Sequence, residues 1–269
     1  MTDTIVLLHG GATGSASWNP VARALISSGA SVFAPDMLGY GASPAPTSSY
    51  AIAEEVAHLT RLLGLQPRSC NGTIYAVGFG GTFHLVTHSL GSLIGLHLRR
   101  ALGARVTRMT LVDPVVVSAL RECGEDDAYA EMEEQYQRFM SLSADHEAAA
   151  HFFVDHWSGA GGWASMGSRA RAMVTSLVPT LQLEMTATRG DTATLGWLAE
   201  SPPPTTILVG ERTLLAPRAA ARLLGTALGA TTIVVLGAAH MIPLTHPQVV
   251  VDAVRCDAAA RGQQQGAHA

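Results

Sequence analysis

Ser89 is the residue around which chemistry can be assembled. It stands in the stretch His84-Leu85-Val86-Thr87-His88-Ser89-Leu90-Gly91-Ser92. The apolar run at residues 83–86 reads as a short buried strand, and Leu93-Ile94-Gly95-Leu96-His97-Leu98 carries an apolar helical face. A strand that turns abruptly into a helix at a serine lifts the hydroxyl above a sheet edge, where it can act as a nucleophile. The string is nearly G-x-S-x-G, with Thr87 where the first glycine belongs. Small residues suit that place because strand and helix backbones pass close together at a strained turn. Taken alone, an S-x-G string fits a plain structural turn equally well.

A serine hydroxyl is weak until a base takes its proton. His240 is the best-placed candidate by pattern: it follows a strand and the turn Gly237-Ala238-Ala239, and Pro247 opens the helix behind it. The other histidines read as structural. His88 adjoins the serine and is expected to point elsewhere, His84 lies inside a strand, His246 precedes a proline, and His9 belongs to a glycine turn.

The elements that must position these groups alternate along the chain. Residues 5–8 form a continuous apolar strand of the kind covered on both faces. It runs into His9-Gly10-Gly11-Ala12-Thr13-Gly14, whose glycines permit a sharp turn and leave amide N–H groups free for a ligand. A helix follows at 18–28, a strand at 31–36, a loop at 37–44 and a helix at 51–63. Residues 66–81, with Asn71-Gly72 and Gly78-Phe79-Gly80-Gly81, form an extra hairpin or a loop. A strand at 106–112 ends in Asp113-Pro114. The alternation resumes after Pro202-Pro203-Pro204 with strands at 206–209 and 232–236 and helices at 217–228 and 247–255. This order predicts a mostly parallel sheet between two helical layers, an α/β fold.

The chain has 269 residues, 48% hydrophobic and 14% charged, enough for one large domain or a domain with an insertion. We read residues 1–114 and 202–257 as the core and 115–201, where helical periods appear without comparable strand signals, as an inserted helical lid. Residues 258–269 show no apolar period and are expected to be a disordered tail. A net charge of −4 gives no reason to expect nucleic acid as a partner. Three widely spaced cysteines, Cys70, Cys123 and Cys256, make no zinc pattern and fit a reduced, cytoplasmic setting. The apolar run behind the N-terminus is too short for a signal or a membrane span, so neither is expected.

Taken together and in order, His9-Gly10-Gly11, Ala34-Pro35-Asp36 through Ser43, His88-Ser89-Leu90-Gly91 and Gly237-Ala238-Ala239-His240 resemble the α/β-hydrolase superfamily over nearly everything but the lid and tail. The resemblance implies that fold, with Ser89 as nucleophile and His240 as base. It implies an oxyanion hole from the amide of Leu90 and that of Gly11 or Ala12. Its usual acid follows the penultimate strand as G-x-x-D-x-x-x-P. Here the frame reads Gly210-Glu211-Arg212-Thr213-Leu214-Leu215-Ala216-Pro217, with Thr213 in the acid's place. Threonine cannot stabilise an imidazolium. Some relatives carry the acid after the earlier strand, which points to Asp113; Glu211, out of frame, stays as the rival, and Asp-Pro is also a turn former.

The lid supplies methionines and aromatics, most of them lid core by spacing. As a set they suggest an apolar pocket, with Trp157, Trp163 and, beside the histidine, Met241 as its lining. The expectation is a serine hydrolase for carboxylic esters of small to medium apolar molecules, with no metal and no organic cofactor implied. Lactonase, thioesterase, perhydrolase or acyltransferase chemistry uses the same constellation. A ligand-binding receptor that has lost turnover is the competing class, motivated by Thr87 and Thr213.

Overall fold

The apolar runs become the inner strands of one parallel sheet. A computed structural model describes residues 3–70, 73–77 and 81–266, and for 67–70, 73–77 and 257–266 the backbone alone. Its strands are β1 (Thr4–Leu8), β2 (Val32–Phe33), β3 (Gln66–Cys70), β4 (Thr73–Val77), β5 (Phe83–His88), β6 (Val106–Val112), β7 (Thr205–Gly210) and β8 (Thr231–Val235). Six of them form a sheet in the order β2-β1-β5-β6-β7-β8, every neighbouring pair parallel. Helices α1 (Asn19–Ser27), α2 (Ile52–Leu62) and α3 (Leu90–Leu102) belong to the first half. Helices α4 (Val117–Glu122), α5 (Asp126–Leu142), α6 (His146–Ser158), α7 (Gly162–Ser165), α8 (Ser168–Ser176), α9 (Val178–Gly190) and α10 (Leu195–Leu198) fill the interval between β6 and β7. After them come α11 (Leu215–Leu228), α12 (Ile242–Thr245) and α13 (Pro247–Gly266).

Successive strand residues point to opposite faces, and here both faces are covered. Val6, Leu8, Leu85, Leu111, Ile207 and Val209 meet α2, α3 and α11 on one side. Ile5, Leu7, Val86, Val112 and Leu208 meet α1 and α13 on the other. That is why these strands read as unbroken apolar runs rather than alternating ones. The register sets Leu8 beside Thr87, His88 beside Val112, and Val112 beside Leu208. The ends of β1, β5, β6 and β7 therefore open on one edge, and the loops leaving them share a site.

Two differences from the sequence reading have physical causes, and one open alternative resolves as a hairpin. The strand expected at 31–36 shrinks to Val32–Phe33. Pro35 has no N–H for a ladder, and Asp36 leaves the sheet to accept the Ser15 N–H at 2.8 Å. The 66–81 segment contributes a hairpin, β3 antiparallel to β4, with its expected Asn71-Gly72 turn outside the described residues. The last helix continues to Gly266, through most of the stretch read as tail. Alanine, arginine and glutamine at 258–265 are good helix formers, a preference that the search for an apolar period does not register. Among the described residues, no helix is long and apolar enough to cross a membrane.

Candidate active site

The turn from β5 into α3 is built on close backbone contacts. A side chain on Gly91 would put its Cβ 2.5 Å from the His9 carbonyl oxygen and 2.7 Å from that of Leu8, so only glycine fits. Thr87 occupies the place of the missing first glycine without conflict. Its Cγ2 fills the space over Gly95, where a Cβ would lie 2.6 Å away, and its Oγ1 is 2.9 Å from Ser92 Oγ. The small residue needed between strand and helix is thus supplied by the helix.

Ser89 sits at φ 56°, ψ −126°. A non-glycine residue there costs about 1–3 kcal/mol and persists only when its surroundings impose it. They do: the Ser89 N–H donates to the Val112 carbonyl at 3.1 Å, and its own carbonyl accepts from Ser92 and Val115. Ala12 (φ 61°) and Asp113 (φ 46°) also have positive φ, so three of the four such non-glycine residues among those described surround one point.

At that point a hydrogen-bonded chain runs through three buried side chains. His240 Nε2 lies 2.9 Å from Ser89 Oγ, and His240 Nδ1 lies 2.6 Å from Asp113 Oδ2. With Asp113 as a carboxylate, the ring's proton sits on Nδ1 and Nε2 is left to accept from the serine. Asp113 is fully buried. Its Oδ1 accepts the Gly210 N–H at 2.9 Å, and its Oδ2 also accepts the Thr213 hydroxyl. Thr213, which stands where an acid is usual, therefore serves the acid from the next strand. Glu211 is exposed and accepts the Gly237 N–H at 2.8 Å, bracing the turn before His240 rather than touching its ring.

Two neighbours hold His240 in place. His88, expected to point elsewhere, lies beneath it with ring centroids 4.9 Å apart, and its Nε2 donates to the His240 carbonyl at 2.9 Å. Burial, reinforced by the adjacent His240, pushes the His88 pKa down to about 3, so it stays neutral. The Trp157 ring also lies close, 4.4 Å from that of His240. His9 is structural: it accepts the Met37 N–H at 3.1 Å, and burial lowers its pKa to about 4.

Gly11 and Leu90 line the space in front of Ser89, and neither amide has an acceptor among the described residues. The Ala12 N–H is already engaged by the Tyr40 hydroxyl at 3.0 Å. Two cavities meet at Ser89 and share Gly11, Phe153 and Trp157. The narrower runs under α5 and α9, lined by Leu90, Val115, Val117, Met132 and Met185, with Gln135 and Glu184 also in its wall. The wider contains His240, Met241, Met166 and Leu244. Trp157 lines both cavities and Met241 the wider one. Trp163 lines neither of these two cavities: it belongs to the core of the helical insertion, stacked on His151 at 5.7 Å. Gln135 and Glu184 were not legible as site residues, since they share a cavity with Ser89 only through the way the inserted helices fold over it. Among the described residues no group of three or more His, Cys, Asp or Glu is arranged to hold a metal ion.

Residues 5–253 match the model of a family described as alpha/beta hydrolase. The chain is 30% identical over 116 residues to a probable lysophospholipase, BODYGUARD 3, of Arabidopsis thaliana, covering 42% of this chain and 21% of that protein. It is 34% identical over 99 residues to the epoxide hydrolase srdG of Neurospora crassa, covering 36% of this chain and 26% of the other. These matches span about a quarter or less of those relatives' length. Among solved structures, a hydrolase from Pseudomonas aeruginosa PA01 superposes with a TM-score of 0.72 at 21% identity, over 94% of this chain and 88% of that one. That likeness is one of fold.

Proposed function

Because the chain belongs to the alpha/beta hydrolase family, we propose that it is a serine hydrolase cleaving carboxylic esters of small to medium apolar molecules through an acyl-enzyme. The observation that carries this reading is the chain Ser89 Oγ to His240 Nε2 at 2.9 Å and His240 Nδ1 to Asp113 Oδ2 at 2.6 Å. His240 takes the serine proton as Oγ attacks the ester carbonyl, and the buried carboxylate of Asp113 stabilises the imidazolium that forms. The free amides of Gly11 and Leu90 receive the oxyanion, each such donor being worth about 10²–10³ in rate. His240 then returns the proton to the departing alkoxide, and water, activated by the same histidine, hydrolyses the acyl-serine.

Proton return divides the substrate between the two cavities. The leaving oxygen must lie beside His240, which lines only the wider cavity, so the alcohol occupies that side and the acyl group enters the narrower one. The nucleophile type also bears on the epoxide hydrolase likeness. Serine opening an epoxide would leave a stable ether with no carbonyl for water to attack, so acyl transfer suits Ser89 better. A cyclic ester would use the same steps as an open one. The threonines that motivated a lapsed, ligand-binding site both have partners that keep the arrangement intact: Thr87 with Gly95 and Ser92, and Thr213 with Asp113.

The test is turnover of p-nitrophenyl butyrate, with labelling by a fluorophosphonate. Wild-type turnover and labelling that both vanish in Ser89→Ala support the reading. A wild-type protein that binds the ester without turning it over would refute it.

A further inference from the structure

The narrow cavity is lined mainly by apolar side chains, yet it holds three buried polar groups without partners. Gln135 on α5 is 2% exposed, and neither its Oε1 nor its Nε2 has a hydrogen-bond partner. Glu184 on α9 is also 2% exposed, with Oε1 unpartnered. The Trp157 Nε1–H on α6 is unpartnered as well. All three residues line the cavity that contains Ser89. A buried polar atom without a partner is costly, and three in one cavity wall beside a nucleophile point to a ligand that completes them.

The hydrogen bonds around Glu184 fix what its free oxygen offers. The Ala12 N–H can only donate, and it donates to the Tyr40 oxygen at 3.0 Å. The Tyr40 proton is therefore directed at Glu184 Oε2, 2.9 Å away. Burial pushes the Glu184 carboxyl up to about 8, so near neutrality it keeps a proton. With Oε2 accepting, that proton belongs on Oε1. The unpartnered buried atoms of these lining residues thus comprise three donors, Glu184 Oε1, Gln135 Nε2 and Trp157 Nε1, and the acceptor Gln135 Oε1, while the hydroxyls of Tyr136 and Thr188 in the same wall can both donate and accept. Arg189 also lines it, but its guanidinium is bound to Glu133 at 2.7 Å. No uncompensated charge faces the ligand.

We propose that the acyl cavity contains a polar subsite in which Gln135, Glu184 and Trp157 bind an uncharged carbonyl oxygen, keto or amide, carried on the acyl part of the substrate. This rests on the serine hydrolase reading and on placing the acyl group in this cavity. A donor-rich, uncharged wall favours an acceptor oxygen over either a plain alkyl chain or a carboxylate, whose desolvation nothing here offsets. Glu184 adjoins the proposed oxyanion loop, its Oε2 lying 3.4 Å from where a Cβ on Gly11 would be.

The experiment compares p-nitrophenyl 4-oxopentanoate with the pentanoate and the 5-oxohexanoate with the hexanoate. It reads kcat/KM in the active enzyme and Kd by tryptophan fluorescence in Ser89→Ala. We expect at least one keto ester to be preferred about ten-fold or more in both readouts. The preference should fall to about two-fold or less in Gln135→Leu and drop in Trp157→Phe. Glu184→Gln keeps an acceptor for Tyr40 and an N–H donor toward the cavity, so it should retain the preference even if Glu184→Leu fails to fold. No keto preference in the wild type, or a preference unchanged by both Gln135→Leu and Trp157→Phe, would overturn the subsite. Should the wild type turn over none of the esters, the hydrolase reading fails, and the Kd ratio in Ser89→Ala still decides whether the subsite exists.

Discussion

Replacing Asp113 with asparagine should silence Ser89 by reversing the protons on the His240 ring. Asp113 Oδ1 faces the Gly210 N–H at 2.9 Å, which can only donate, so the asparagine's carbonyl oxygen is drawn to that side. Its NH2 then faces His240 Nδ1 and the Thr213 hydroxyl, where the carboxylate had accepted at 2.6 Å from His240. Nδ1 must become an acceptor, the ring proton moves to Nε2, and Nε2 can no longer take the serine proton. The imidazolium also loses its buried counter-charge. Together these effects correspond to about 10⁴ in kcat, or about 5.5 kcal/mol at about 1.4 kcal/mol per tenfold. The assay is steady-state and burst hydrolysis of p-nitrophenyl butyrate, with circular dichroism to show that the fold is intact. Glu211→Gln, which touches only the turn at Gly237, should stay within about two-fold of wild type. Placing an acid at the family's usual position, Thr213→Asp in the Asp113→Asn background, should restore part of the lost rate. An Asp113→Asn enzyme that keeps more than about a tenth of its kcat, or a Glu211→Gln enzyme that loses comparable activity, would refute the assignment.

Thr213→Val removes one charge-assisted donor to the acid, and should lower kcat about ten- to a hundred-fold, the equivalent of about 1.5–3 kcal/mol, with little change in melting temperature. Gly95→Ala should destabilise by about 1–3 kcal/mol through the contact with Thr87 Cγ2, and Thr87→Ala should relieve part of that loss in the double variant, measured by urea denaturation. Glu184 titrates near 4.5 in the unfolded chain and near 8 in the folded one, so between these values the folded state holds the extra proton and stability falls as pH rises. Thermal melts should therefore show the advantage of Glu184→Gln over wild type growing from pH 5 to pH 8; a constant difference would show that Glu184 is not buried as a neutral acid.

How much of this site was legible in the sequence depends on how local its determinants are. Ser89, His240 and the glycine turn at Gly10-Gly11 sit in strand–turn–helix patterns whose geometry is set within a few residues, and they could be picked out before any fold was known. Asp113 was a choice between strands: the resemblance favoured it over the out-of-frame Glu211, but an Asp-Pro string serves equally as a turn, so the chain alone left Glu211 as a rival. The lid was recognisable as helical, but Trp163 and Trp157 were indistinguishable by type and spacing. Periodicity reports that a face is buried and not against what, and one ring stacks on His151 while the other covers His240.

The sequence by itself determined the parallel order of the core, because fully covered strands must be apolar on both faces and the turns between them need their glycines. Tertiary structure decided what the departures from pattern meant. Thr87 is tolerated because Gly95, eight positions later, leaves room for its methyl group, and Thr213 is at home because Asp113, a hundred residues earlier, accepts its hydroxyl. Each threonine taken alone looks like a lost catalytic feature. Paired across the fold, each is a substitution compensated by its neighbour, since hydrogen bonds and van der Waals contacts act through space and take no account of distance along the chain.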